Sequence, residues 1–170
     1  MVDLRAKPYH LSDEDIAWVE NTIASMSSEE KVGQLFWQLG AGNTEEYYRE
    51  LMEKYHLGGC RYNAMPGKAV LHQNRTFQKY AKVPVFIACN PEQGGSGVCS
   101  DGTYIAPQIK IGATGKTAYA QAMGRVSGKQ IKATGGNMAF APVVDITYNW
   151  ECEETLMRSY GNDPQQVAAM

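Results

Sequence analysis

Val83-Pro84-Val85-Phe86-Ile87-Ala88-Cys89 is an unbroken apolar run bounded by Lys82 and by the polar stretch Asn90-Pro91-Glu92-Gln93-Gly94-Gly95. It is too short for a self-sufficient helix and rich in β-formers, so it reads as a buried strand. Pro84 lacks an N–H and therefore belongs at the beginning of the strand rather than in its middle. Upstream, Val70, Leu71, Phe77 and Tyr80 recur at helical spacing up to about Lys82, after a turn at Pro66-Gly67. Before that, Thr44 caps a helix carrying Tyr47, Tyr48, Leu51, Met52 and Tyr55, which Gly58-Gly59 ends, and Cys60-Arg61-Tyr62 is a short strand. Downstream, Tyr119, Met123, Val126 and Ile131 form one face of a helix that Gly135-Gly136 ends, and Met138 to Val144 is a second buried strand.

Apolar strands that alternate with helices imply a parallel sheet with right-handed crossovers. Residues near 34–39, 58–62, 84–89 and 138–144 are expected as adjacent parallel strands in chain order, with helices on one face. The segment Gly33-Gln34-Leu35-Phe36-Trp37-Gln38-Leu39 either closes the helix that Ser27 or Ser28 starts or forms the first strand. Ser12 with Asp15 starts a helix bearing Ile16, Val19, Ile23 and Met26, so residues 1–25 read as an N-terminal helical extension to a domain over 26–170.

The chain has 170 residues, with 16 basic against 18 acidic side chains and a net charge of −2. No long run of either sign occurs, which argues against nucleic acid as a partner. There is no bilayer-length apolar stretch, and the start lacks the apolar segment of a signal peptide, so a cytoplasmic protein is expected. Cys60, Cys89, Cys99 and Cys152 include no Cys-x-x-Cys pair and read as reduced thiols. His10, His56 and His72 lack metal-ligand spacing, and neither a metal nor a cofactor is expected. His56, just before Gly58-Gly59, reads as a cation near a helix C-terminus.

Two motifs are decoys, and no activated nucleophile stands beside them. Gly112-Ala113-Thr114-Gly115-Lys116-Thr117 has two residues between its glycines where a phosphate loop needs four. Gly95-Ser96-Gly97 begins like a dinucleotide fingerprint, but Ser100 stands in the third glycine's place. No Gly-x-Ser-x-Gly elbow occurs, and Cys99 has no sequence-near His or Arg to activate it.

The polar residues gather after apolar runs. Phe140-Ala141-Pro142-Val143-Val144 ends on Asp145, and Arg158-Ser159-Tyr160-Gly161-Asn162-Asp163-Pro164 follows as an Arg-aromatic-Gly turn leading into an Asp-Pro helix start. The loop-rich stretch 90–117 is long enough to carry a function. Strand C-terminal tips are where parallel α/β folds place their sites.

Five segments, in order, resemble the N-terminal catalytic domain of family 3 glycoside hydrolases, the group of β-glucosidases and β-N-acetylglucosaminidases. They are Met26 to Phe36, His56-Leu57-Gly58-Gly59-Cys60, Val83 to Gly95, Ile111-Gly112-Ala113-Thr114-Gly115, and the paired stretches 140–145 and 158–164. The Gly-Gly-x-Gly and Asp-Gly-Thr of the central loop look most like members described as β-N-acetylhexosaminidases. The resemblance implies a (β/α)8 barrel of about 250 residues, of which this chain holds roughly the first half. It implies retaining hydrolysis of β-linked N-acetylglucosaminides or glucosides by double displacement. The family's nucleophile and acid/base fall on later segments, so no catalytic residue is expected within this chain.

On the family pattern Asn90, Arg158 and Asp145 are substrate-binding, with Asp145 orienting Arg158, and Glu92 is supporting. Asn90 stands where the family has an aspartate that accepts bonds from sugar hydroxyls. Its amide both donates and accepts but carries no charge. A bland reading of Arg158 is a salt bridge to Asp145 or Glu92, and Glu92 with Asp145 could be mistaken for a catalytic pair. The partners expected are a carbohydrate substrate and, through the open edges of a half-barrel, a second copy or the missing C-terminal half. The alternative is a non-catalytic carbohydrate-binding or structural half-barrel.

Overall fold

The computed structural model describes residues 2–40 and 42–170, leaving out Met1 of the expected extension and Ala41. The sheet has four strands, β1 (Trp37–Gly40), β2 (Gly59–Tyr62), β3 (Phe86–Cys89) and β4 (Met138–Ala139), all parallel and in the order β1-β2-β3-β4. The helices are α1 (Asp13–Ser25), α2 (Ser28–Gly33), α3 (Glu45–Tyr55), α4 (Gly67–Tyr80), α5 (Gln108–Gly112), α6 (Thr117–Ala133), α7 (Glu153–Leu156) and α8 (Pro164–Ala169). Repeated strand–helix units in chain order are the barrel pattern that the sequence implies, with four of the eight strands a closed barrel needs.

Local sequence sets most boundaries. Ser12 and Asp15, and again Ser27 and Glu30, form reciprocal capping boxes that start α1 and α2. The Thr44 side chain accepts the Tyr47 N–H at the head of α3. α3 ends at His56, whose φ of 52° places it in the left-handed region. The ambiguous stretch after Gly33 resolves both ways: Gln34 is still helical, and the strand begins at Trp37.

Paired residues in a parallel sheet point to the same side, so the register sorts the strands into two faces. Cys60, Tyr62, Ile87 and Cys89 face the helices and are fully buried with Tyr48, Leu51 and Met52 of α3, Val70 and Phe77 of α4, and Ile131 of α6. A second cluster joins Ile111, Ala120, Met123, Tyr160 and Val167. α6 buries Ala120, Met123, Ser127 and Ile131, whereas Tyr119, expected on that face, is exposed.

The opposite face carries Trp37, Leu39, Arg61, Phe86, Ala88, Met138 and Phe140. The Trp37 ring stacks on Phe86 at 5.7 Å and on Phe140 at 5.8 Å. Gly59 makes room for it, since a Cβ there would lie 2.7 Å from the indole. Phe86, Phe140 and Leu39 are 55%, 47% and 45% exposed, so this apolar face is open.

Two strand expectations need correction. The strand expected over 84–89 starts only at Phe86, because side-chain amides take over at Val85: Gln78 accepts its N–H, and Gln78 and Asn137 donate to its carbonyl. The buried strand expected from Met138 to Val144 is two residues long and is not buried: Met138 is half-buried, Ala139 is exposed and Val144 is 71% exposed. Pro142 has no N–H to offer a ladder, and Val143 exchanges both backbone bonds with the Gln108 amide (3.1 and 2.9 Å). β4 also pairs only with β3 among the described residues, so residues after it face solvent on the far side.

Candidate functional site

The C-terminal ends of β2, β3 and β4 lead directly into the polar residues picked out in the sequence. Asn90 follows β3 by one residue, and Glu92 lies two residues further along the same loop. The loop folds back on itself through a parallel bridge between Glu92 and Gly94 and an antiparallel bridge between Gly94 and Tyr104. Gly94 has φ 99°, a conformation that strongly favours glycine.

Arg158 reaches this loop from 66 residues downstream. Its Nε donates to Glu92 Oε2 at 2.7 Å and its Nη2 to Glu92 Oε1 at 2.9 Å, a bidentate pair with parallel bonds. The third arm, Nη1, bonds Glu154, one helical turn earlier in sequence. The Glu92 side chain is 14% exposed and that of Arg158 37%, so the pair sits at the rim, with the carboxylate inside. The guanidinium pKa is raised, chiefly by the hydrogen bond to Glu92; burial opposes this, and the charges of Glu154 and Asp145 add to it.

The turn that presents Arg158 is fixed by Ser159, which is fully buried. Its hydroxyl donates to the Asp145 carbonyl at 2.7 Å and accepts the Gly161 N–H at 3.1 Å. The Thr147 N–H also donates to the Gly161 carbonyl at 2.9 Å. These bonds hold the segment after β4 beside Arg158.

Glu92 and Arg158 are thus brought together, and Asn90 lies on the same loop two residues before Glu92. Asp145 is close enough to act on Arg158 through its charge, but its carboxylate is exposed and forms none of the ion pairs. Asp145, expected to orient Arg158, makes no hydrogen bond to it; Glu92 and Glu154 hold the guanidinium, because the turn after α7 that carries Arg158 sends the side chain toward the loop after β3. Glu92, with both oxygens held by Arg158, is also committed as an acceptor.

Two residues escaped the sequence reading. Glu154 lies four residues before Arg158, a spacing that joins carboxylate and guanidinium on one helical turn and could have revealed it. Arg61 is the one charged residue in β2, and its Nε lies 3.5 Å from Asn90 Oδ1, a long bond that places a second guanidinium beside the strand tip. A cation inside a short apolar strand was the available signal.

A hollow lies elsewhere. A groove of about 700 Å³ lined by Val32, Phe36, Trp37, Leu51, Tyr55 and Leu57 runs beside β1. It borders β1, the outer strand of the described sheet, and is mostly apolar, with Ser28, Glu29, Gln38 and Lys54 as its polar lining. Among the described residues no group of three or more His, Cys, Asp or Glu is placed to hold a metal ion.

The description "Glycosyl hydrolase family 3 N terminal domain" matches residues 27–170. A beta-N-acetylglucosaminidase/beta-glucosidase of Cellulomonas fimi is 37% identical over 170 residues, covering 100% of this chain and 30% of that protein. The structure of beta-glucoside phosphorylase BglX bound to 2FGlc is similar, with TM-score 0.91 and 35% identity, covering 98% of this chain and 30% of that one. A glycoside hydrolase family 3 beta-N-acetylglucosaminidase from Paenibacillus sp. str. FPU-7 gives TM-score 0.76 at 28% identity over 85% of this chain and 29% of that one. The chain therefore spans less than a third of the length of these relatives.

Proposed function

The chain belongs to glycosyl hydrolase family 3, through the N-terminal domain that its residues 27–170 match, and from that premise we propose that it forms a sugar-binding portion of a retaining glycosidase acting on β-linked N-acetylglucosaminides or glucosides. The observation that carries this reading is the match of residues 27–170 to the family's N-terminal domain; the Glu92–Arg158 bridge, the bland reading of Arg158, does form, and to it we add a free guanidinium edge for the sugar. Arg158 is the planar donor for sugar oxygens, oriented by Glu92 and Glu154. Asn90, beside Arg61, both donates to and accepts from hydroxyls without a charge. Asp145, exposed at the same rim, is a further acceptor for the substrate.

Double displacement needs a carboxylate nucleophile and a separate proton donor, with the two groups typically about 5–5.5 Å apart. Glu92 does not suit either part while both its oxygens bind Arg158. The nucleophile and the acid/base are assigned to parts of a longer enzyme outside these residues, and the extension 1–25 to a helical segment preceding the catalytic domain. No cofactor enters this chemistry. A cytoplasmic setting is part of the reading and is supported by Cys60, Cys89, Cys99 and Cys152, all of which are free thiols. Among the described residues no helix is long and apolar enough to cross a membrane.

The open face gives the reading its protein partner. A compact monomer of 18.8 kDa exposes roughly 8,300 Å², whereas this chain exposes 10623 Å². The excess of about 2,300 Å² is the scale that obligate interfaces bury. Further (β/α) units, from the rest of a longer chain or from a second copy, would cover Trp37, Phe86 and Phe140.

The test is turnover of aryl β-N-acetylglucosaminide and aryl β-glucoside by the isolated chain and by the enzyme at its relatives' length. The isolated chain is expected to be inactive, and Arg158→Ala is expected to lower kcat/KM in the longer enzyme. Turnover by the isolated chain, lost on Glu92→Ala or Asp145→Ala, refutes the assignment of the catalytic groups. Sugar binding by the isolated chain, with no turnover in the longer protein either, favours the non-catalytic reading. A second reading, transfer of the glycosyl group to phosphate instead of water, is favoured by the structural neighbour described as a phosphorylase. Formation of a glycosyl phosphate on adding inorganic phosphate decides for it.

A further inference from the structure

The loop that carries Asn90 and Glu92 away from β3 is fastened at two places far from the strand tip. On one side the Asp101 carboxylate accepts the Gly67 N–H at the start of α4 (2.8 Å), and the Ser100 N–H donates to the Met65 carbonyl (2.8 Å). On the other, Gln130 in the last turn of α6 holds Thr103 twice: Gln130 Oε1 accepts the Thr103 N–H at 3.1 Å and Nε2 donates to Thr103 Oγ1 at 2.7 Å.

The loop backbone is shaped around this amide. A Cβ on Gly95 would collide with Gln130 Oε1, and one on Gly102 would lie 2.8 Å from the same atom. Beyond Thr103, Tyr104 bridges Gly94, and the Ile105 N–H donates to the Gln93 carbonyl at 2.9 Å. Gln93 and Gly94 immediately follow Glu92, which grips Arg158 with both oxygens. A continuous series of bonds thus runs from the helix to the guanidinium.

We propose that Gln130 is a positioning residue for the Glu92–Arg158 pair, acting through Thr103 and the Gly94–Tyr104 bridge to fix the angle at which Arg158 meets a substrate. The relevance to substrate rests on reading Arg158 as the sugar-side donor. Gln130 never touches that site. The geometry calls for one group that accepts from a backbone N–H and donates to a hydroxyl, which an uncharged amide does. A carboxylate accepts the same N–H, and the Thr103 hydroxyl can rotate to donate to it, so Gln130→Glu is the conservative replacement.

The experiment follows the Arg158 Nε–H by nitrogen-15 NMR in the 170-residue chain, together with the Thr103 and Ile105 amides. In Gln130→Ala the Arg158 Nε–H is expected to exchange with water about five- to tenfold faster, the scale of losing one or two modest hydrogen bonds from the series. In Gln130→Glu its rate should return to within about twofold of the original. A Gln130→Ala protein in which Thr103 loses protection while Arg158 does not change overturns the proposal, leaving Gln130 a local fastening only. Thr103→Val removes only the Oγ1 bond and covers the case in which Gln130→Ala does not fold. It should raise the Arg158 rate by a smaller factor, and no change there also overturns the proposal. No sugar enters the measurement, so its outcome is separate from whether Arg158→Ala affects turnover.

Discussion

Replacing Arg158 with Met keeps the length of the stem and removes every donor. The two bonds to Glu92, at 2.7 and 2.9 Å, are lost, and a carboxylate that is 14% exposed is left without its cation. A solvent-exposed ion pair contributes roughly 0–1 kcal/mol, whereas breaking a fully buried one costs about 3–5 kcal/mol. With the carboxylate inside and the guanidinium 37% exposed, the expected cost lies between these, at about 2 kcal/mol. For a domain of this size each kcal/mol shifts Tm by roughly 2–4 °C, so the midpoint should fall by about 4–8 °C. Urea and thermal unfolding measure it. Glu92→Leu with Arg158→Met removes both charges, and the double-mutant cycle should return a coupling of about 1.5 kcal/mol. Glu154 is 82% exposed, so Glu154→Gln should stay within about 0.5 kcal/mol of the original. A cost for Arg158→Met no larger than that of Glu154→Gln, with additive behaviour in the cycle, would refute the reasoning and make the pair a solvated surface contact.

Three further outcomes are expected. Iodoacetamide should label Cys152 first, since hydrogen bonds with Thr155 lower its pKa and it is partly exposed, while burial pushes the Cys60 thiol up to about 12; equal labelling of the two in the folded chain, read by mass spectrometry, would contradict this. Two glycine-to-alanine changes should have opposite signs in unfolding experiments. In Gly112→Ala the Cβ would collide with the Tyr160 carbonyl, at a cost of about 2 kcal/mol, whereas Gly124→Ala points into open space within α6 and should stabilise by about 0.5–1 kcal/mol. The Asp101 carboxyl is held below its ordinary 3.8, chiefly by the Gly67 N–H, so its contribution is present above that value and lost as pH falls through the lower folded one. The protection of the Gly67 amide, relative to its intrinsic exchange rate, should therefore fall as that carboxyl protonates in acid, and Asp101→Asn should remove this step.

The sequence by itself determined the order of elements and their local starts. Ser12, Ser27 and Thr44 cap helices within reach of their own neighbours, and the apolar run to Cys89 marks a strand whose Val85, Ile87, Ala88 and Cys89 are buried. The same local signals located the strand-tip residues, because Asn90 and Glu92 follow an apolar run directly. Lengths and partners were decided only by tertiary structure. Val85 and Val143 look like strand residues, yet amides from Gln78, Asn137 and Gln108, distant in sequence or on other elements, take their backbone bonds. Arg158 finds Glu92 across 66 residues, and Gln130 finds Thr103 across 27. Hydropathy and spacing describe a residue's own segment. Which donor meets which acceptor depends on how segments are laid side by side, and the parallel sheet does that by joining loops that are far apart along the chain.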